Sequence, residues 1–193
     1  PFGDFEVNIT VPADHILEAT GNLLNRNEVF TATQLARYAQ AEKSFDKPVI
    51  VVTQAEAEVT EKGFSDKKKT WKFKAENVRD FGISTSRKFI YDAMAVQLDS
   101  KTAMAISLYP KEGNPLWEEY STRIVAHTLK SYSSHTFDYP YPKAISINAE
   151  DQGMEYPMIC WNWGRPEPDG KYSDRVKEGM MSVIAHEVGH NFF

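Results

Sequence analysis

The sequence predicts an α+β fold, with a β-rich segment over residues 1–84 followed by a mixed α/β segment over residues 85–193. Three observations carry this. Apolar residues alternate with polar ones in the first third, the period of a half-buried strand. After residue 115 they recur at three- and four-residue spacing, the period of an amphipathic helix. A second helical pattern closes the chain and contains His186-Glu187-Val188-Gly189-His190.

Taken in order, Phe5, Val7, Ile9 and Val11 share one side of a strand over 5–11, which Pro12-Ala13-Asp14 breaks. Residues 48–53 are apolar and β-branched, a buried strand, and 70–75 places Trp71 and Phe73 on one face with lysines on the other. The charged stretch 61–69 between them reads as a hairpin connection, with Lys67 to Lys69 a charged turn rather than a functional patch.

Strands follow over 88–98 and 102–109. Asn114 and Pro115 then mark a helix start, as N-cap and first helical residue. Trp117, Tyr120, Ile124, Thr128, Leu129 and Tyr132 give that helix its apolar stripe through about residue 134, and His127 and His135 read as polar or capping histidines. A strand over 143–148 and an apolar segment over 154–163 come next, closed by a Gly- and Pro-rich loop over 164–170. Ser173 or Asp174 caps the last helix, whose inner face carries Val176, Met180, Val183, Ile184 and Glu187.

Composition narrows the class of protein. The 193 residues are 41% hydrophobic and 25% charged, enough for a sizeable core, and no apolar run approaches the ~18 residues of a membrane span. A net charge of −5 without long single-sign blocks argues against a nucleic-acid partner. The single Cys160 has no internal disulfide partner and sits among apolar and aromatic residues, which points to a buried thiol.

The closing motif carries the chemistry. Residues four apart on a helix lie on one face, so His186 and His190 can direct imidazole nitrogens at one zinc ion. Glu187, about 100° around the helix, can address water beside the ion as a general base. The metal would lower the pKa of that water and polarise a substrate carbonyl, the requirements of metal-assisted hydrolysis. Phe193 stands where a metzincin needs glycine, which excludes that branch.

Gln152-Gly153-Met154-Glu155-Tyr156, some thirty residues upstream, resembles the Gly-x-Met-Glu-Asn exopeptidase motif of the aminopeptidase N family of gluzincins. It departs from the usual pattern at Gln152, Gly153 and Tyr156 and keeps Glu155. The resemblance is detailed from residue 143 to 193 and looser elsewhere. It implies that residues 1–84 end a β-sandwich or saddle domain, and that 85–193 begin a thermolysin-like catalytic domain. It further implies a peptide substrate with a free N-terminus, whose α-amine Glu155 binds beside Gly153 and Met154. Gly153 can offer backbone hydrogen bonds to that peptide or serve as a simple turn residue, and Trp161 and Trp163 can line a pocket or belong to the core.

A catalytic zinc takes three protein ligands, and the family draws the third from a glutamate roughly 18–20 residues past the second histidine. Beginning at Pro1 and ending inside a predicted helix, the chain is therefore expected to be an inactive fragment of a zinc aminopeptidase. A thermolysin-like endopeptidase and a non-catalytic scaffold retaining the fold are the alternatives.

Overall fold

In the computed structural model, residues 2–150 and 153–192 are described. The first strand, β1 (Gly3–Pro12), pairs antiparallel with β5 (Lys68–Val78) in the register Val7↔Phe73 and Ile9↔Trp71. The predicted alternation thus puts Trp71 and Phe73 on one face of the pair, and both are buried. A short strand, β3 (Asn22–Leu23), covers the other edge of β5, and β2 (Ile16–Ala19) pairs with β6 (Ile83–Ser86).

The main sheet has six strands in the order β10-β11-β9-β8-β7-β4. They are β4 (Val49–Val52), β7 (Ile90–Gln97), β8 (Thr102–Tyr109), β9 (Lys143–Asn148), β10 (Met154–Tyr156) and β11 (Ile159–Asn162). The β8–β9 and β9–β11 pairs are parallel and the others antiparallel. A parallel neighbour needs a crossover, and the 20-residue helix α4 (Leu116–His135) supplies the one between β8 and β9.

Alternation along β7 and β8 assigns each face. Ile90, Met94, Val96, Ala105 and Tyr109 join the core beneath α4, with Trp117, Val125 and Leu129. Tyr91, Ala93, Ile106 and Leu108 join a second core on the opposite face with Trp71, Phe73 and Phe30. Both faces are covered, so the central strands read as almost continuous apolar runs. Cys160 is buried as expected, and burial pushes its thiol up to about 12.

Several predicted elements need correction. The β-rich first third also holds α1 (Arg26–Val29), α2 (Ala32–Ala41) and α3 (Gln54–Glu61). The last two open on capping boxes, Thr31 with Gln34 and Thr53 with Glu56, which satisfy two otherwise orphaned backbone N–H groups at each start. Residues 61–69 do not close a hairpin, because β4 and β5 lie in different sheets. The segment 154–163 is two strands, turned at Pro157-Met158, where Met158 has φ 66°. Asn114 does not cap α4; its side chain donates to Gln54 and Glu118, while Pro115 occupies the cap position without a side-chain bond.

Two buried polar groupings tie the layers together. Lys143 Nζ on β9 lies 2.6 Å from Glu18 Oε2 on β2, and Tyr91 OH donates to Glu18 Oε1 at 2.8 Å. Beneath α4, Thr122 and Tyr109 both donate to the buried carboxylate of Asp92. Burial pushes Asp92 up to about 7, against the opposing effect of those two donors. The hydroxyls of Thr122, Ser107, Ser121 and Ser146 continue this chain of contacts to Asn162 on β11.

Candidate metal centre

Helix α5 (Asp174–Gly189) begins at Ser173, whose hydroxyl accepts from the Val176 N–H at 3.3 Å, settling the choice between Ser173 and Asp174. Met180, Ile184 and Val188 recur at four-residue spacing and anchor one face in the core beneath α4. That leaves His186 and His190 exposed on another face and Glu187 buried between the two. The two apolar turns before the motif therefore fix its rotation about the helix axis.

The imidazoles converge. Their Nε2 atoms are 3.0 Å apart, with ring centroids 4.6 Å apart and planes at 90°. At that separation two lone pairs cannot face each other, so one nitrogen must carry a proton or both must bind a cation. Glu187 is 6% exposed, and its Oε2 is buried with no hydrogen-bond partner among the described residues. Burial raises its pKa and the nearby Glu155 adds to the effect, while His186 and His190 oppose it. Paired lone pairs beside an orphaned buried carboxylate are a donor set that fits zinc.

The hairpin of β10 and β11 brings Glu155 to the same place. Ligand atoms of Glu155, Glu187 and His190 all lie within 4.8 Å of one another. Gly153 packs so closely against Glu187 that a Cβ there would overlap Oε1. Met154 stands exposed on β10 opposite Trp161. Gln152, first residue of the expected motif, lies outside the described residues. His127 is exposed on α4, and His135 contacts the Ser131 carbonyl at 2.7 Å, so neither belongs to this group.

A cleft of about 490 Å³ opens beside the site, lined by Gly153, Trp163, Gly179, Ser182, Val183, His186 and Glu187. The two tryptophans divide: Trp161 packs edge-on against Tyr156 with centroids 5.5 Å apart, whereas Trp163 faces the cleft. Two residues support the site: Asn191 was not singled out by the sequence, and Tyr132 was read there only as part of the apolar stripe of α4. Asn191 Oδ1 accepts from the Met158 N–H at 2.7 Å, fastening the hairpin turn to the end of the metal helix. Tyr132 lies against Gly189, where a Cβ would come within 3.0 Å of its hydroxyl, so glycine lets α4 and α5 approach closely. An asparagine directly after the motif was the one visible signal.

Neither a protein-family model nor a curated protein matches the chain in sequence. Solved structures do match in shape. An M1 zinc metallopeptidase from Deinococcus radiodurans superposes with a TM-score of 0.57 at 16% identity, over 100% of this chain and 34% of that one. The chain shares the fold of M1 zinc metallopeptidases. A two-domain M1 zinc metallopeptidase mutant bound to L-arginine gives a TM-score of 0.55 at 16% identity, over 96% of this chain and 34% of that one. A mutant of the Deinococcus radiodurans protein bound to a Tyr-Ser-Ala substrate gives 0.52 at 16% identity, over 100% and 34%. The chain thus spans about a third of the length of the structures it matches.

Proposed function

We propose that this chain carries part of the active site of a zinc aminopeptidase, which removes N-terminal residues from peptides. The observation that supports this best is Glu155, a carboxylate from a separate hairpin, standing within 4.8 Å of the donor atoms of Glu187 and His190. His186 and His190 would hold the zinc, which supplies polarisation of the scissile carbonyl and of water. Catalytic zinc takes three protein ligands, and the family resemblance implies that a glutamate would be the third.

Glu187 would take a proton from the attacking water onto a carboxylate oxygen. As the C–N bond breaks, it returns that proton to the leaving amine, so the carboxylate is regenerated each cycle. Glu155 pairs with the substrate's ammonium group and sets the scissile bond one residue from the chain start. The backbone of Gly153 keeps the floor of the site open beside Glu187.

The reading is tested with the zinc-loaded full-length protein on matched peptides with free and N-acetylated termini. Only the free peptides should be cleaved. Glu155→Gln should cost kcat/KM about 1.5–3 kcal/mol, roughly ten- to a hundredfold, the worth of a charged hydrogen bond. Equal cleavage of acetylated peptides would overturn the aminopeptidase assignment in favour of an endopeptidase.

A further inference from the structure

We infer that Asn191 is a positioning residue for the amine anchor: it clamps the Glu155 strand to the end of the metal helix and so sets how far Glu155 stands from the metal. This rests on the aminopeptidase reading and assigns a residue to its selectivity. The clamp is a pair of hydrogen bonds. Asn191 Oδ1 accepts from the Met158 N–H at 2.7 Å, and Asn191 Nδ2 donates to the Tyr156 carbonyl at 3.4 Å. One amide thus grips the backbone on both sides of Pro157. Asn191 directly follows His190, and Tyr156 directly follows Glu155. A single peptide unit therefore separates the clamp from a proposed zinc ligand at one end and from the proposed amine anchor at the other.

The strand needs such a tie. β10 has three residues and forms one edge of the six-stranded sheet, where it pairs with β11. Its turn carries Met158 at φ 66°, a left-handed conformation that a residue with a side chain keeps where its surroundings hold it. Several of those holds come from the body of the protein. The Pro157 carbonyl accepts from Thr20 Oγ1 at 2.7 Å, the Met158 carbonyl from the Ile145 N–H at 2.8 Å, and Met158 Sδ from the Gly21 N–H at 3.3 Å. These fix the turn to the sheets. Asn191 fixes it to the metal helix.

The mounting of Asn191 is rigid. Its N–H donates to the Val188 carbonyl at 3.2 Å, and the Phe192 N–H donates to the Gly189 carbonyl at 3.0 Å. Phe192 is buried among Tyr132, Phe137 and Tyr139, with ring centroids 5.3, 5.9 and 5.2 Å away. Both polar atoms of the Asn191 amide are engaged by backbone, so contact with the substrate amine falls to Glu155. A side chain locked in this way holds its neighbour's geometry from behind.

The test is a double-mutant cycle on the zinc-loaded full-length protein, reading zinc content and kcat/KM for free and N-acetylated trialanine. Asn191→Ala should lower kcat/KM for the free peptide about tenfold or more with zinc retained, because a displacement of about 1 Å in such a group is costly. In a Glu155→Gln background the same substitution should change it by less than about twofold, since no charge is left to position, whereas a merely structural role would cost the same in both backgrounds. Asn191→Asp, which keeps the shape and the acceptor for the Met158 N–H, should recover most of the loss. Equal losses in the two backgrounds, no loss from Asn191→Ala, loss of zinc from it, or an Asn191→Asp variant no better than alanine overturns the inference and leaves the aminopeptidase reading standing. Equal cleavage of the acetylated peptide by the unaltered protein overturns both.

Discussion

Glu187→Gln in the zinc-loaded full-length protein should lower kcat for peptide hydrolysis by about 10²–10⁴-fold, the usual contribution of a general acid–base group. Glutamine keeps the shape of the side chain in its buried position but cannot take up the water proton. Zinc content should be unchanged, because the imidazoles of His186 and His190, and not this carboxylate, are the proposed ligands. Steady-state kinetics with metal analysis on the same samples checks both halves. A variant that retains most of its kcat would remove Glu187 from the chemistry, and one that loses its zinc would make it a ligand.

Lys143→Ala should destabilise the fold by about 3–5 kcal/mol, the cost of leaving a buried charge without its partner. Glu18 is 2% exposed, and Tyr91 OH would be its one remaining hydrogen-bond partner from this triad. The double variant Lys143→Met with Glu18→Gln should recover most of the loss, since it removes the charges together and keeps the volume. Denaturant unfolding of the three proteins distinguishes this from a surface pair, whose loss would cost under about 1 kcal/mol. The result bears on the site, because Lys143 opens β9, the strand that leads towards the Glu155 hairpin.

Legibility in the sequence followed the strength of periodic signals. β1, β5, β7, β8, α4 and α5 were readable because each buries one face, or both, in a regular pattern. Helices α2 and α3 were not. Their capping boxes are visible as Thr31-Ala32-Thr33-Gln34 and Thr53-Gln54-Ala55-Glu56, but α3 buries little beyond Ala57, so apolar spacing is nearly silent there. Strand β2 was hidden because all four of its residues are buried, Glu18 included, which erases alternation. The 61–69 stretch misled because strands adjacent in sequence were assumed to pair, while β5 instead pairs with β1, some sixty residues earlier.

For the site, His186, Glu187 and His190 were legible because a helix converts four-residue spacing directly into geometry. Glu155 was legible through the family resemblance alone. Its approach to Glu187 depends on a hairpin whose turn at Met158 adopts a positive φ and is held by Asn191. No local pattern announces that contact. The opposite fates of Trp161 and Trp163 depend on which side of β11 meets α5, a fact of tertiary packing.

The decisive measurement is anomalous scattering at the zinc absorption edge from crystals of the zinc-loaded full-length protein. Convergence of His186 and His190 predicts a single zinc peak bonded to both imidazoles, with the Glu155 carboxylate free to meet a substrate amine. The cluster of Glu155, Glu187 and His190 within 4.8 Å offers the competing ligand set. A peak bonded to Glu155 or Glu187, or no peak at the histidines, would contradict the account.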